Sequence, residues 1–104
     1  MSEAVVTVGR HAAVRSKNAG PFRLTVDLFC NDEAAYAALR DGLDVARVAE
    51  AFAVPAASVR HYELPEIGVI KLSLPRPIAQ GAADDRDMHG AQWAVLVEGI
   101  ALEA

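Results

Sequence analysis

Residues 23–29, "RLTVDLF", constrain the fold more than any other stretch of this chain. Leu24, Val26 and Leu28 point one way, and Arg23, Thr25, Asp27 and Phe29 point the other. Strict alternation of this kind is the mark of a strand with one face in a core. A sheet must then exist, and other segments must pair with this strand and cover its apolar side.

The rest of the chain supplies those segments. "HAAV" (11–14) reads as a strand end leading into a turn at 15–22, "RSKNAGPF". Residues 1–10 read equally well as a tail or a short strand, with a single domain over 11–104. "NDEAAYAALRDG" is punctuated as a helix. Asn31 or Asp32 can cap it, Glu33 suits its positive end, and Gly42 stops it. A second helix starts after Asp44, with Val45, Val48, Ala49 and Phe52 on one stripe, and ends before Pro55. "SVRHYEL" (58–64) and "IGVIKLSL" (67–74) read as a hairpin that Pro75 and Pro77 terminate. A polar loop (79–87) leads to a third helix, "MHGAQWAVLV", capped by Asp87, and "EGIALEA" reads as a last strand. Apart from the first arm, this order is β-α-β-β-α-β. It predicts an α+β fold: a ferredoxin-like antiparallel sheet with helices on one face, plus an N-terminal hairpin arm. The bare face must be covered or form an interface.

Charge narrows the function. With 10 Lys and Arg against 14 Asp and Glu, the net charge is −4, which argues against nucleic acid as a partner. Yet Arg10, Arg15, Lys17 and Arg23 cluster early. A local cationic site on an acidic chain suits a small anion. There is no apolar run long enough for a membrane span and no secretory leader, and Cys30 is the single cysteine. These features predict a cytoplasmic, soluble protein with no membrane attachment.

Three constellations can carry chemistry. In the 15–22 turn, Arg15 can grip a carboxylate or phosphate bidentately, and Lys17 adds a point charge. Ser16 and Asn18 can donate, and Gly20 permits a positive φ. The same residues also suit an ordinary solvated turn. In "LPRP", Arg76 sits between two prolines, either as a stiffly held ligand for an anion or as a charge that keeps a strand edge soluble. In "DDRDMHGAQ", a metal reading of Asp84, Asp85, Asp87 and His89 is the weaker one, because Asp87 serves as a cap. His89 and Gln92 share a helix face near an N-terminus, where His89 can act as acid or base. Cys30, before a helix N-terminus, has a position that can lower its pKa, but no histidine pattern supports a nucleophile. No metal site and no cofactor are predicted, and no Ser-His-Asp order or dinucleotide fingerprint is present.

The combination "VRSKNAGPFRLTVDLF", "LPRP" and "GAADDRDMHGAQ" resembles the domain of unknown function 4387 family, from about His11 to Leu102. That family is similar to the C-terminal ferredoxin-fold domain of acyclic terpene utilisation (AtuA-like) proteins. There an "RSGDKG" turn occupies the place of Arg15 to Gly20. An "RYELP" motif with a following glycine is in step with Arg60, Glu63, Pro65 and Gly68. The resemblance implies a large AtuA-like partner that lacks this domain, and a split enzyme acting on a carboxylate or acyl-CoA. It implies substrate-binding roles for Arg15, Ser16, Lys17, Asn18, Gly20, Arg76, Asp87 and Gln92.

Three functions follow from these readings. The first is a small subunit of a heteromeric catabolic enzyme, a hydratase or lyase, that helps to bind the substrate; Lys17 and His89 are its candidate catalytic residues. The second is a non-catalytic, small-anion-binding module that self-associates. The third, a complete small enzyme, has the least support because no nucleophile–base pair is visible.

Overall fold

The computed structural model describes residues 6–20, 22–75 and 93–102. Pro21, Arg76, Pro77, the loop at 79–87, Asp87, His89 and Gln92 lie outside the described residues.

The alternating segment is strand β2 (Arg23–Cys30). It sits inside a four-stranded antiparallel sheet with β1 (Ala12–Asn18), β3 (Arg60–Leu64) and β4 (Val69–Pro75), in the order β1-β2-β4-β3. The fold is therefore α+β, as the element order predicts. β2 and β4 are central, and six of their inward residues are large and aliphatic. Leu24 faces Leu74, Val26 faces Leu72 and Leu28 faces Ile70, and all six are fully buried. Burying a side chain of this size contributes about 1.5–3 kcal/mol relative to leaving it in water.

Helices cover this one face. Helix α2 (Glu33–Gly42) starts where the Asp32 carboxylate accepts from the Ala35 N–H at 2.7 Å, and it buries Tyr36 and Leu39. Asn31, the other candidate cap, instead donates through its side-chain amide to the Arg10 carbonyl at 3.3 Å. Helix α3 (Val45–Phe52) is capped by Asp44, which accepts from the Ala46 N–H at 2.9 Å, and it buries Val48, Ala49 and Phe52. Helix α4 (Trp93–Glu98) buries Ala94 and Val97, and its Trp93 ring lies 5.7 Å from that of Phe52. Among the described residues no helix is long and apolar enough to cross a membrane.

Three local expectations change. First, β1 does not end at Val14 but continues to Asn18, so the turn shrinks to 19–22. Arg15, Ser16, Lys17 and Asn18 pair with Asp27, Val26, Thr25 and Leu24, and four further ladder partners outweigh the turn-forming character of the segment. Second, Val8–His11 forms a short helix, α1, anchored by fully buried Val8, where the sequence reads as tail or strand from Val8 to Arg10 and as strand at His11. Third, the C-terminal segment is not a full strand among the described residues. The outer edge of β2 is already taken by β1. Residues 100–102 instead bond to the N-terminal segment through one bridge, Thr7 with Ala101, flanked by Val8 N–H to Ile100 carbonyl (3.0 Å) and Leu102 N–H to Val6 carbonyl (2.8 Å).

Candidate functional site

The register places the outward residues of four strands in rows. In an antiparallel sheet, directly opposed residues share a face, with strands about 4.8 Å apart and successive rows about 6.8 Å apart. One row is Ala13, Phe29, Val69 and Leu64. The next is Arg15, Asp27, Lys71 and Tyr62, followed by Lys17, Thr25, Ser73 and Arg60. Arg23, opposite Pro75, closes the face.

This open face is strongly cationic. It holds Arg15, Lys17, Arg23, Arg60 and Lys71, which is half of the chain's 10 Lys and Arg. Of the Asp and Glu among the described residues it holds one, Asp27, so among those residues five cations less one carboxylate leave a surplus of four on this face. Arg40 and Asp41, 2.9 Å apart and remote from this face in sequence, form the one ion pair among the described residues. Among the described residues the open-face cations form no ion pair, and Asp27 offsets part of their charge from the same face. Solvent ions or a bound anion would screen the remaining repulsion.

Hydroxyls lie among the cations. Arg23 donates through Nη2 to Ser73 Oγ at 2.9 Å, which holds that guanidinium over the sheet. Thr25 is 8% exposed, and its Oγ1 has no hydrogen-bond partner among the described residues. The other end of the face is apolar: Phe29, Tyr62 and Leu64 are exposed, and Ile67, in the β3–β4 turn beside it, is more exposed still. Gly68, at φ 64°, sets the return of that turn. A groove of about 260 Å³ there is lined by Glu63, Leu64, Pro65, Glu66 and Ile67.

The four donors expected to converge in one turn are divided by the strand. Arg15 and Lys17 are on the open face. Ser16 and Asn18 are on the opposite face, where Ser16 is buried at 5% exposure. Gly20 lies in the turn at the Lys17 end with φ 87°, a backbone requirement of the turn. Arg76, Asp87, His89 and Gln92 lie outside the described residues. The residues that sequence reasoning did not bring into the site are Thr25, Asp27, Arg60, Lys71 and Ser73. Their signal was parity: each sits at an outward position of an alternating strand. Cys30 behaves opposite to its helix-terminus reading. Burial first, and then the Asp32 carboxylate, pushes its thiol up, and its Sγ lies 3.7 Å from the Leu28 carbonyl.

Fold and face together describe a small α+β domain with one sheet face under helices and, among the described residues, a cationic opposite face. The family described as Domain of unknown function (DUF4387) matches residues 10–99, and the chain belongs to that family. No curated protein and no solved structure matches the chain.

Proposed function

We propose that this protein is the small subunit of a heteromeric catabolic enzyme. Its partner is an AtuA-like large protein, and its open face helps to hold a carboxylate or acyl-CoA substrate where the two chains meet. The observation that carries this reading is the surplus of four positive charges that the described residues place on the sheet face away from the described helices, a face that ends in exposed Phe29, Tyr62 and Leu64. Cations orient an anionic substrate and stabilise charge that develops on it, as in a hydration or lyase step. The exposed aromatic and aliphatic end supplies the apolar contact that an interface needs. The described residues offer cations and hydroxyls but no paired nucleophile and base. In this reading the proton-transferring group is His89 or a group of the large chain, and Lys17 acts by its charge.

Charge also bears on the partner. A two-fold dimer through this face would lay its cations against the cationic face of the other copy, and like charges across an interface are costly. A different, more acidic chain fits better. A second reading, a self-associating anion-binding module, is favoured by one feature, the acidic end of the β3–β4 hairpin, with Glu63 on β3 and Glu66 in the turn. In a head-to-tail contact that end can meet the cationic face of another copy.

Co-expression with an AtuA-like protein encoded beside it, followed by native mass, tests the proposal. The expected result is a stable complex that Lys17→Glu with Arg60→Glu disrupts or leaves without substrate binding. A chain that stays monomeric beside its large neighbour overturns the split-enzyme reading. A concentration-dependent homo-oligomer moves the assignment to the second reading.

A further inference from the structure

We infer that the row Lys17, Thr25, Ser73 and Arg60, closed by Arg23, is a phosphate-binding trough, which selects the phosphorylated class of ligand over the free carboxylate. The inference rests on the reading of the open face as a substrate-holding surface.

The shape comes from residue size. The two central positions of the row carry short side chains, Thr25 and Ser73, and the two outer positions carry long ones, Lys17 and Arg60. The backbones of Lys17 and Arg60 are three strand spacings apart, about 14 Å. Long cationic walls therefore stand either side of a hydroxyl floor. Arg23 enters from the next row, already tethered to Ser73 Oγ at 2.9 Å.

The chemistry is one-sided. Among the described residues the trough has three cations, two hydroxyls and no carboxylate. A carboxylate monoanion leaves most of that charge unanswered, whereas a phosphate dianion or a diphosphate answers nearly all of it with acceptor-only oxygens. Guanidinium and ammonium groups recognise phosphate in this manner. Asp27 fixes the location. It stands between Arg15 and Lys71 in the neighbouring row, where it offsets part of their charge and repels an anion. Among the described residues the row through Thr25 is thus the one whose cations have no carboxylate beside them in their own row. Thr25 Oγ1 is itself buried without a partner among the described residues, so a donor already sits at the centre of the cations.

The isolated full chain is titrated with inorganic pyrophosphate, inorganic phosphate and acetate at matched ionic strength. The readouts are the thermal midpoint and the backbone amide shifts of Lys17, Thr25, Ser73 and Arg60. Pyrophosphate is expected to raise the midpoint most, phosphate less and acetate least, with the amide shifts confined to that row. Thr25→Val and Lys17→Ala should each weaken pyrophosphate by about tenfold or more, the scale of one charge-assisted hydrogen bond. Arg47→Ala, on α3, should leave it unchanged. Equal responses to all three anions, or full affinity in both Thr25→Val and Lys17→Ala, overturn the trough. Pyrophosphate binding without any heteromeric complex removes the split enzyme and keeps the trough; a complex without pyrophosphate binding does the reverse.

Discussion

The two faces of the sheet are made from the same strands and differ in every respect that matters. Leu72 points into the helices and is fully buried; Lys71, its neighbour, points out between Asp27 and Tyr62. The inner face holds six large aliphatic residues from β2 and β4 with no exposure, and the outer face holds five cations and one carboxylate. Apolar burial is nondirectional, so the inner face needs only the right volume in the right rows. An anion site needs particular donors at particular spacings, so the outer face depends on register. If the outer face binds an anion as proposed, stability and recognition fall to alternate residues of one strand.

The largest effect should come from breaking the inner face. Leu72→Ala removes a side chain from the centre of the core cluster and leaves a cavity. The expected loss is about 2–5 kcal/mol, a large part of the ~5–15 kcal/mol that holds a domain together. Lys71→Ala, one residue away, should change stability by no more than about 0.5 kcal/mol. Urea unfolding of the two variants makes the comparison directly. Equal losses would mean that the outer face is itself packed by the chain, and the open-face reading would fail.

A second variant breaks the outer face and spares the inner. Lys17→Glu with Arg60→Glu converts a surplus of four on the face to none, since each reversal moves the charge by two. Anion binding should fall by two orders of magnitude or more, because two charge-assisted contacts of about 1.5–3 kcal/mol each are removed. The urea midpoint should hold or rise as the repulsion with Arg15 and Arg23 is relieved. A variant that still binds pyrophosphate as the parent does would place the anion elsewhere.

How much of this was legible in the sequence also divides along the two faces. The inner face was readable because it rests on local rules: Leu24, Val26 and Leu28 alternate, and Asp32 and Asp44 cap their helices as their position before an apolar stripe predicts. The outer face was not, because it is made by pairing between segments far apart in the chain. Nothing local says that Thr25 lies beside Ser73, or Ser73 beside Arg60. The turn residues Asn18, Ala19 and Gly20 misled in one further way. They suggested that Arg15 to Asn18 share a loop, where side chains can converge, whereas a strand sends Arg15 and Lys17 to one side and Ser16 and Asn18 to the other. The last segment failed for a topological reason, since β1 already held the edge it would have joined.

Cys30 tests the boundary between the faces. It ends β2 on the inner side, opposite Ala12, and burial and Asp32 both push its thiol up. A raised pKa leaves less thiolate at neutral pH, so alkylation by iodoacetamide near pH 7 should be slower than for a free cysteine thiol. Asp32→Asn should speed it by removing the nearby carboxylate while keeping a side chain that can cap α2. Alkylation as fast as in urea-unfolded chain would show that the end of β2 opens readily and that the inner face stops short of Cys30.

The smallest effect is the most discriminating, because its sign differs between the faces. Every inner-face truncation lowers stability. Thr25→Val should raise it. Valine keeps the branched shape that a central strand favours and removes a hydroxyl that is buried without a partner among the described residues. An unsatisfied buried hydroxyl costs about 1–3 kcal/mol, so a gain near 1 kcal/mol is expected. That corresponds to about 4–8 °C in the midpoint of a domain this size. The gain should appear as a higher urea midpoint at unchanged slope. In saturating pyrophosphate it should shrink or reverse, since the parent then uses the hydroxyl and the variant does not. A residue retained at a cost to the free protein and recovered only with an anion present is what a binding face requires. A loss of stability in Thr25→Val without any anion would show that the hydroxyl is already engaged, and Thr25 would then belong to the structure of the sheet.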